Sequence, residues 1–142
     1  MKNTLILLAC AVLVLSACKK EKTPAPAVNY SGTYKGEVKM FENGVLSSTT
    51  ADYSMQFTHD PETRVAIITN NVFAANTGSI EGITFTLVKK VIASSPTYNT
   101  EQTGTAAFTA TNVTINFREQ QVDLSNGAVL NTKTWTGTLT KQ

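Results

Sequence analysis

Gly32-Thr33-Tyr34-Lys35-Gly36-Glu37-Val38-Lys39-Met40 decides the fold of this chain. Tyr34, Gly36, Val38 and Met40 share one parity and Lys35, Glu37 and Lys39 take the other, the period-two alternation of a strand with one buried and one wet face. Glu42-Asn43-Gly44 follows as a turn, with Gly free to adopt positive φ. The chain then returns through Val45, Ser47, Thr49, Ala51, Tyr53, Met55 and Phe57, so the segment reads as a long antiparallel hairpin.

Working outward, His59-Asp60-Pro61-Glu62-Thr63 is a turn in which Pro61 fixes φ, and a short apolar strand spans Arg64 to Thr69. Asn70 to Thr77 reads as irregular. Glu81-Gly82 opens a strand with Ile83, Phe85 and Leu87 on one face, which Val91-Ile92 either continues or follows with another. Ser94 to Gln102 reads as a loop. Thr105 to Ala110, a turn at Thr111-Asn112 and Val113 to Gln121 form a second hairpin. Leu124 to Gly127 turns the chain once more into a last strand, Ala128 to Lys141, that carries Trp135 and Leu139.

No segment of ten or more residues has helical spacing. The expectation is an all-β domain over residues 30–142, a single antiparallel meander of seven or eight strands. It must curl into a small barrel or split into a two-sheet β-sandwich to bury its apolar face. The composition agrees: 15% charged residues and abundant Thr, Ser and Asn suit pleated sheet better than amphipathic helix. Tyr34, Val38, Tyr53, Met55, Phe85, Phe108 and Phe117 are the candidates to fill the interior.

Charge excludes one class of partner. From Tyr30 onward the chain carries eight basic and nine acidic residues, and the formal excess of +2 in the whole chain comes from Lys2, Lys19, Lys20 and Lys22. A near-neutral domain with no basic stripe does not concentrate a phosphate backbone, so nucleic acid is not an expected partner.

The N-terminus has its own grammar. Lys2 precedes an unbroken apolar run from Leu5 to Leu15, the length of a secretory h-region and too short to cross a bilayer as a helix. The run closes on Leu15-Ser16-Ala17-Cys18, which resembles the lipobox of bacterial lipoproteins. The resemblance implies a signal peptide over 1–17 and lipid attachment at Cys18, with a thioether-linked diacylglyceryl group and an acylated amine such as palmitate. Several acyl chains give stable anchoring without a transmembrane span. Cys10 would leave with the signal and Cys18 would be consumed by lipid, so the domain would hold no disulfide.

Residues 18–29, from the lipidated Cys through Lys-Lys-Glu-Lys-Thr-Pro-Ala-Pro-Ala-Val, read as an extended tether. Lys19 after Cys18, in place of Asp, resembles lipoproteins sorted to the outer membrane. The expected location is the cell envelope, on the periplasmic or the surface face.

Gly32-Thr33-Tyr34, with its Gly-x-aromatic spacing, is similar to the opening of lipocalins, Tyr34 standing where that family has Trp. Trp135-Thr136-Gly137-Thr138 at the other end suggests that first and last strands meet. The resemblance implies a lipocalin-like or calycin-like up-and-down barrel that binds a small apolar or amphipathic ligand. The chain is short for that family and lacks its helix.

The inventory of reactive groups is thin. His59 is the single histidine, so a multi-histidine zinc site cannot be built, and no phosphate-cradling or calcium-binding loop appears. His59, Asp60, Glu62 and Arg64 form the sharpest cluster, the first three suited to weak metal binding or acid–base work, though turn chemistry alone accounts for them. Asn131 and Lys133 share the parity of Trp135. Either a bulge near Asn131 flips the strand, or Lys133 lies at a barrel mouth and meets a polar ligand group, with Trp135 as core or platform. The resulting expectation is a non-enzymatic lipoprotein of the envelope, without cofactor, catalytic residue or metal. It binds a small ligand or, with a filled core, serves as a structural or protein-interaction module.

Overall fold

The computed structural model describes residues 28–70 and 76–142, with the backbone alone at Asn70. The export segment, Cys18 and the tether as far as residue 27 lie outside the described residues.

Nine strands follow one another: β1 Gly32–Glu42, β2 Val45–His59, β3 Val65–Asn70, β4 Asn76–Glu81, β5 Thr84–Leu87, β6 Lys90–Ser94, β7 Tyr98–Phe108, β8 Asn112–Asp123 and β9 Val129–Lys141. Neighbours in sequence pair antiparallel except β5 and β6, β1 also pairs with β9, and β5 pairs with the C-terminal half of β7. Eight strands therefore close into a barrel, and the ninth, β6, adds only to the N-terminal half of β7. No helix occurs among the described residues. The alternation left barrel and sandwich open; the pairing of first and last strands selects the small lipocalin-like barrel that the resemblance implied.

The hairpin that decided the fold turns as its sequence demands. Asn43 and Gly44 both have positive φ, 50° and 84°, the geometry of a tight turn whose twist matches its strands. Along β1, Tyr34 and Val38 are buried while Lys35, Glu37 and Lys39 are exposed. Along β8, Val113, Ile115 and Phe117 alternate with exposed Thr114, Asn116 and Arg118.

The interior is packed with aromatic rings. Phe57 sits 4.6 Å from Phe108 and 5.2 Å from Phe85 between centroids, and Tyr34 meets Phe108 edge-on at 5.6 Å. All seven residues expected inside are there, each at most 2% exposed. Tyr30 closes one end, its ring 4.9 Å from Phe108 and its carbonyl accepting a 2.7 Å hydrogen bond from the Tyr34 hydroxyl. The chain enters at this end through Val28, so the segment that would lead to Cys18 attaches here.

Several boundaries differ from the sequence reading, each for a local reason. Asn76 and Thr77 belong to β4, whose buried positions are Asn76, Gly78 and Ile80. Gly78 is required because a Cβ there would run into the Phe85 ring and the Thr86 carbonyl. Glu81 ends β4 instead of opening the next strand, and Ile83 lies in the turn, 57% exposed, while Phe85 and Leu87 point inward. Tyr98 to Gln102 is the start of β7, paired with β8 throughout, and not a loop. Arg64 precedes β3, at a positive φ of 60° in the turn. Irregularities in the β1–β2 pairing put Thr50 opposite Val38 and Ser48 opposite Met40, so the uninterrupted parity from Val45 to Phe57 does not hold.

Candidate functional site

At the end away from Tyr30, the inward positions of four adjacent strands change character at one level. One row holds Gly104, Phe117, Trp135 and Met40 on β7, β8, β9 and β1. The next row outward holds Gln102, Glu119, Lys133 and Glu42, again paired strand to strand. Beyond it come Thr100, Gln121 and Asn131. Side chains two residues apart on a strand share a face, so the wall passes from aromatic to polar in a single step.

Hydrogen bonds tie these rows together. Asn76 donates from Nδ2 to Gln102 Oε1 at 2.8 Å, and Gln102 donates from Nε2 to Glu119 Oε1 at 3.2 Å. Asn131 donates from Nδ2 to Glu42 Oε1 at 2.9 Å. Lys133 stands between two glutamates in the register, Glu119 on β8 and Glu42 on β1. Burial pushes the Glu119 carboxyl above its ordinary range, and the nearby Lys133 ammonium and the Gln102 amide draw it partly back. Thr100, Glu119, Gln121, Asn131 and Lys133 line a notch of about 50 Å³. Asn131 Oδ1 is buried with no hydrogen-bond partner among the described residues, as is the hydroxyl of Tyr53. Burial raises the Tyr53 phenol above its ordinary value.

Above the level of Met55, β2 has no pairing on its β3 side among the described residues, because β3 registers only from Met55 to His59. Among the described residues the wall continues there as β6, β7, β8, β9, β1 and β2, with no pairing between β6 and β2. Val45, Leu46, Leu124, Val129 and Leu130 are exposed around this open end.

Lys133 and Trp135 thus share a face as their parity implied. Pairing with β8 runs without a shift from Asn131 to Thr140, and the irregularity lies one step further out, between Gln121 and Val122. The bulge near Asn131 exists but does not flip the strand, and Lys133 lies at the mouth. Trp135, 8% exposed, belongs to the aromatic row below it.

His59, Asp60 and Glu62 are not brought together. His59 is the last residue of β2, 7% exposed, with Tyr30 N–H donating to its Nδ1 at 3.5 Å. Its ring lies 5.8 Å from Tyr30 and 6.3 Å from Phe57. Asp60 is exposed and accepts from the Glu62 and Thr63 amides and the Thr63 hydroxyl, a turn that organises itself and holds the carboxyl below its ordinary range. Burial holds the His59 imidazole below its ordinary pKa, with Asp60 opposing the shift.

Two wider grooves lie elsewhere. One of about 510 Å³ runs over the outer face along Thr114, Thr136 and Thr138, and one of about 350 Å³ lies beside Val28, Pro61 and Glu81 at the Tyr30 end. The Thr ladder is accounted for by β-propensity. Glu119, Gln102, Gln121, Glu42 and Thr100 escaped the sequence reading because only the register across β7, β8, β9 and β1 brings them together. The signal that could have found them was the shared parity of Glu119 with Phe117 and of Glu42 with Met40.

The fold and this site define a closed antiparallel β-barrel with one end corked by Tyr30 and, among the described residues, the other lined by polar side chains. No family model, curated protein or solved structure matches the chain.

Proposed function

We propose that this protein is a lipid-anchored module of the bacterial envelope, non-enzymatic, which binds its ligand at the open end of the barrel. The step from Phe117 and Trp135 to Glu119 and Lys133 at one level carries this reading. A barrel of this shape supports a ligand-binding, lipocalin-like role. Its apolar half is occupied by Phe57, Phe85 and Phe108, which moves the ligand from an apolar cup to the polar mouth. The exposed apolar rim favours a second reading, a protein-interaction module that docks through the same end.

The lipobox supports anchoring at Cys18, most simply in the outer membrane. The chain enters at the Tyr30 end, and β1 spans 11 residues to the mouth. At about 3.3 Å per residue and a strand tilt of about 40°, the mouth lies roughly 25 Å further from the anchor than the cork does. The membrane partner and the ligand partner therefore engage opposite ends.

Alkyne-palmitate labelling of the full chain in its host tests the anchor. Label and membrane association are expected, and both are lost in Cys18→Ala; an unlabelled, soluble wild type refutes anchoring. Native mass spectra of residues 28–142 purified from the same host test the site. A bare mass is expected, whereas an apolar mass retained natively and lost on denaturation refutes the filled-core reading.

A further inference from the structure

We propose that the notch between Glu119, Lys133 and Asn131 takes a pair of adjacent hydroxyls of a neutral saccharide. This deepens the open-end reading and rests on it.

Charge selects the class first. Lys133 and Glu119 both line the notch, so an added cation meets the ammonium and an added anion meets the carboxylate. Either would leave water to sit beside a like charge as well as an opposite one. A neutral group carries no such penalty.

Hydrogen-bond capacity selects next. The notch is lined by the Lys133 ammonium as donor, Glu119 as acceptor, and the Thr100 hydroxyl and the Gln121 and Asn131 amides as both. A hydroxyl donates and accepts through one oxygen, so it fits such an alternating set with few atoms. Two neighbouring hydroxyls match the two oxygens of a carboxylate, and one can in addition accept from the Lys133 ammonium. Size agrees: about 50 Å³ holds a few water-sized atoms, the edge of a sugar ring and not a whole lipid. The position agrees as well, since a mouth turned away from the anchor meets polysaccharide before membrane.

The test is an amide-shift titration of the 28–142 domain with glucose, galactose, mannose and N-acetylglucosamine, each to about 50 mM, with acetate, ethylammonium and acetamide as controls. Affinities near a millimolar are expected for so small a contact. At least one sugar should give saturable shifts at Thr100, Glu119, Gln121, Asn131 and Lys133. Asn131→Leu should weaken that binding about ten-fold while the remaining amides keep their positions. If Asn131→Leu does not fold, Lys133→Met serves, since it removes the donor and keeps the stem.

No saturable shift with any of the four sugars overturns the proposal. So do shifts with acetate or ethylammonium that equal or exceed those with sugar, or acetamide shifts that match them. A failed titration alongside a bare native mass leaves the open-end reading in place and removes only the saccharide. Retained apolar cargo removes the open-end reading itself.

Discussion

Phe57→Ala tests whether the barrel interior is full. The ring touches Phe85 and Phe108 at centroid separations of 5.2 and 4.6 Å and is 1% exposed, so nothing mobile stands ready to refill its place. Deleting a buried Phe side chain costs about 3–5 kcal/mol, the lost transfer energy plus about 24 cal/mol for each Å³ of cavity left. A domain of this size has roughly 6–17 kcal/mol of stability, so the variant stays folded and the loss is measurable. At about 4 °C per kcal/mol, the melting midpoint should fall by about 12–20 °C. Urea unfolding followed by fluorescence of the single Trp135 gives the free energy directly, with an unchanged slope if both proteins unfold in one step. The new void, lined by Phe85 and Phe108, should stay dry and bind benzene, which would restore part of the loss. A change below about 1 kcal/mol would mean that the native interior already holds space there. The argument that moves the ligand to the mouth would then fail.

Two further outcomes follow from the corked end. His59 accepts from the Tyr30 amide through Nδ1 and is buried, with Asp60 the neighbouring charge and Arg64 and Glu81 lining the same groove. Its pKa is lowered in the folded chain, so its contribution is fully present above the ordinary value of 6.5 and is lost as pH falls through that value toward the lower folded one. Urea midpoints should therefore decline between about pH 7 and pH 5, with a shallower decline in His59→Phe; parallel curves would rule the imidazole out. Tyr34→Phe removes the buried 2.7 Å hydrogen bond to the Tyr30 carbonyl and should cost about 1–2 kcal/mol, read from the same unfolding curves. No loss would mean that Tyr30 is not held by that bond.

Legibility in the sequence tracked the place of the apolar residue. β1 and the end of β2 were plain because their own buried positions are Tyr34, Val38, Tyr53, Met55 and Phe57. β4 was hidden because its inward positions begin with Asn76 and Gly78, and the ring that fills the space over Gly78 belongs to Phe85 on β5. The hydrophobic signal sits on the neighbouring strand, where a single-strand reading cannot assign it. The first half of β7 was hidden for another reason: Tyr98, Thr100 and Gln102 continue the polar rows, so the alternation of apolar and polar residues disappears. His59 was read with the turn that follows it, because local turn chemistry explains Asp60 to Thr63 and says nothing of the ring packed behind them. Lys133 was legible as a phase conflict. Its partners were not, since Glu42, Glu119 and Gln102 reach it only through a register that spans four strands.

The two ends of the barrel answer the same physical problem differently. Each must deal with inward positions that would otherwise meet water. At the Tyr30 end the solution is apolar: Tyr30 lies across Phe108 and is fastened by the Tyr34 hydroxyl. Stability alone would favour a second cork at the far end, because inward charges must be desolvated and held by partners. Instead the far end carries two glutamates, a lysine and three amides in adjoining rows, and burial raises the pKa of Glu119. A solvated strand end would explain any one of these residues on its own. It does not explain Gln102, Glu119, Lys133 and Glu42 falling in one lateral row, each on a different strand and each directly outward of the Gly104, Phe117, Trp135 and Met40 row. Such alignment requires four separate sequence positions to agree through strand pairing, and a small-ligand site at the mouth gives that agreement a use.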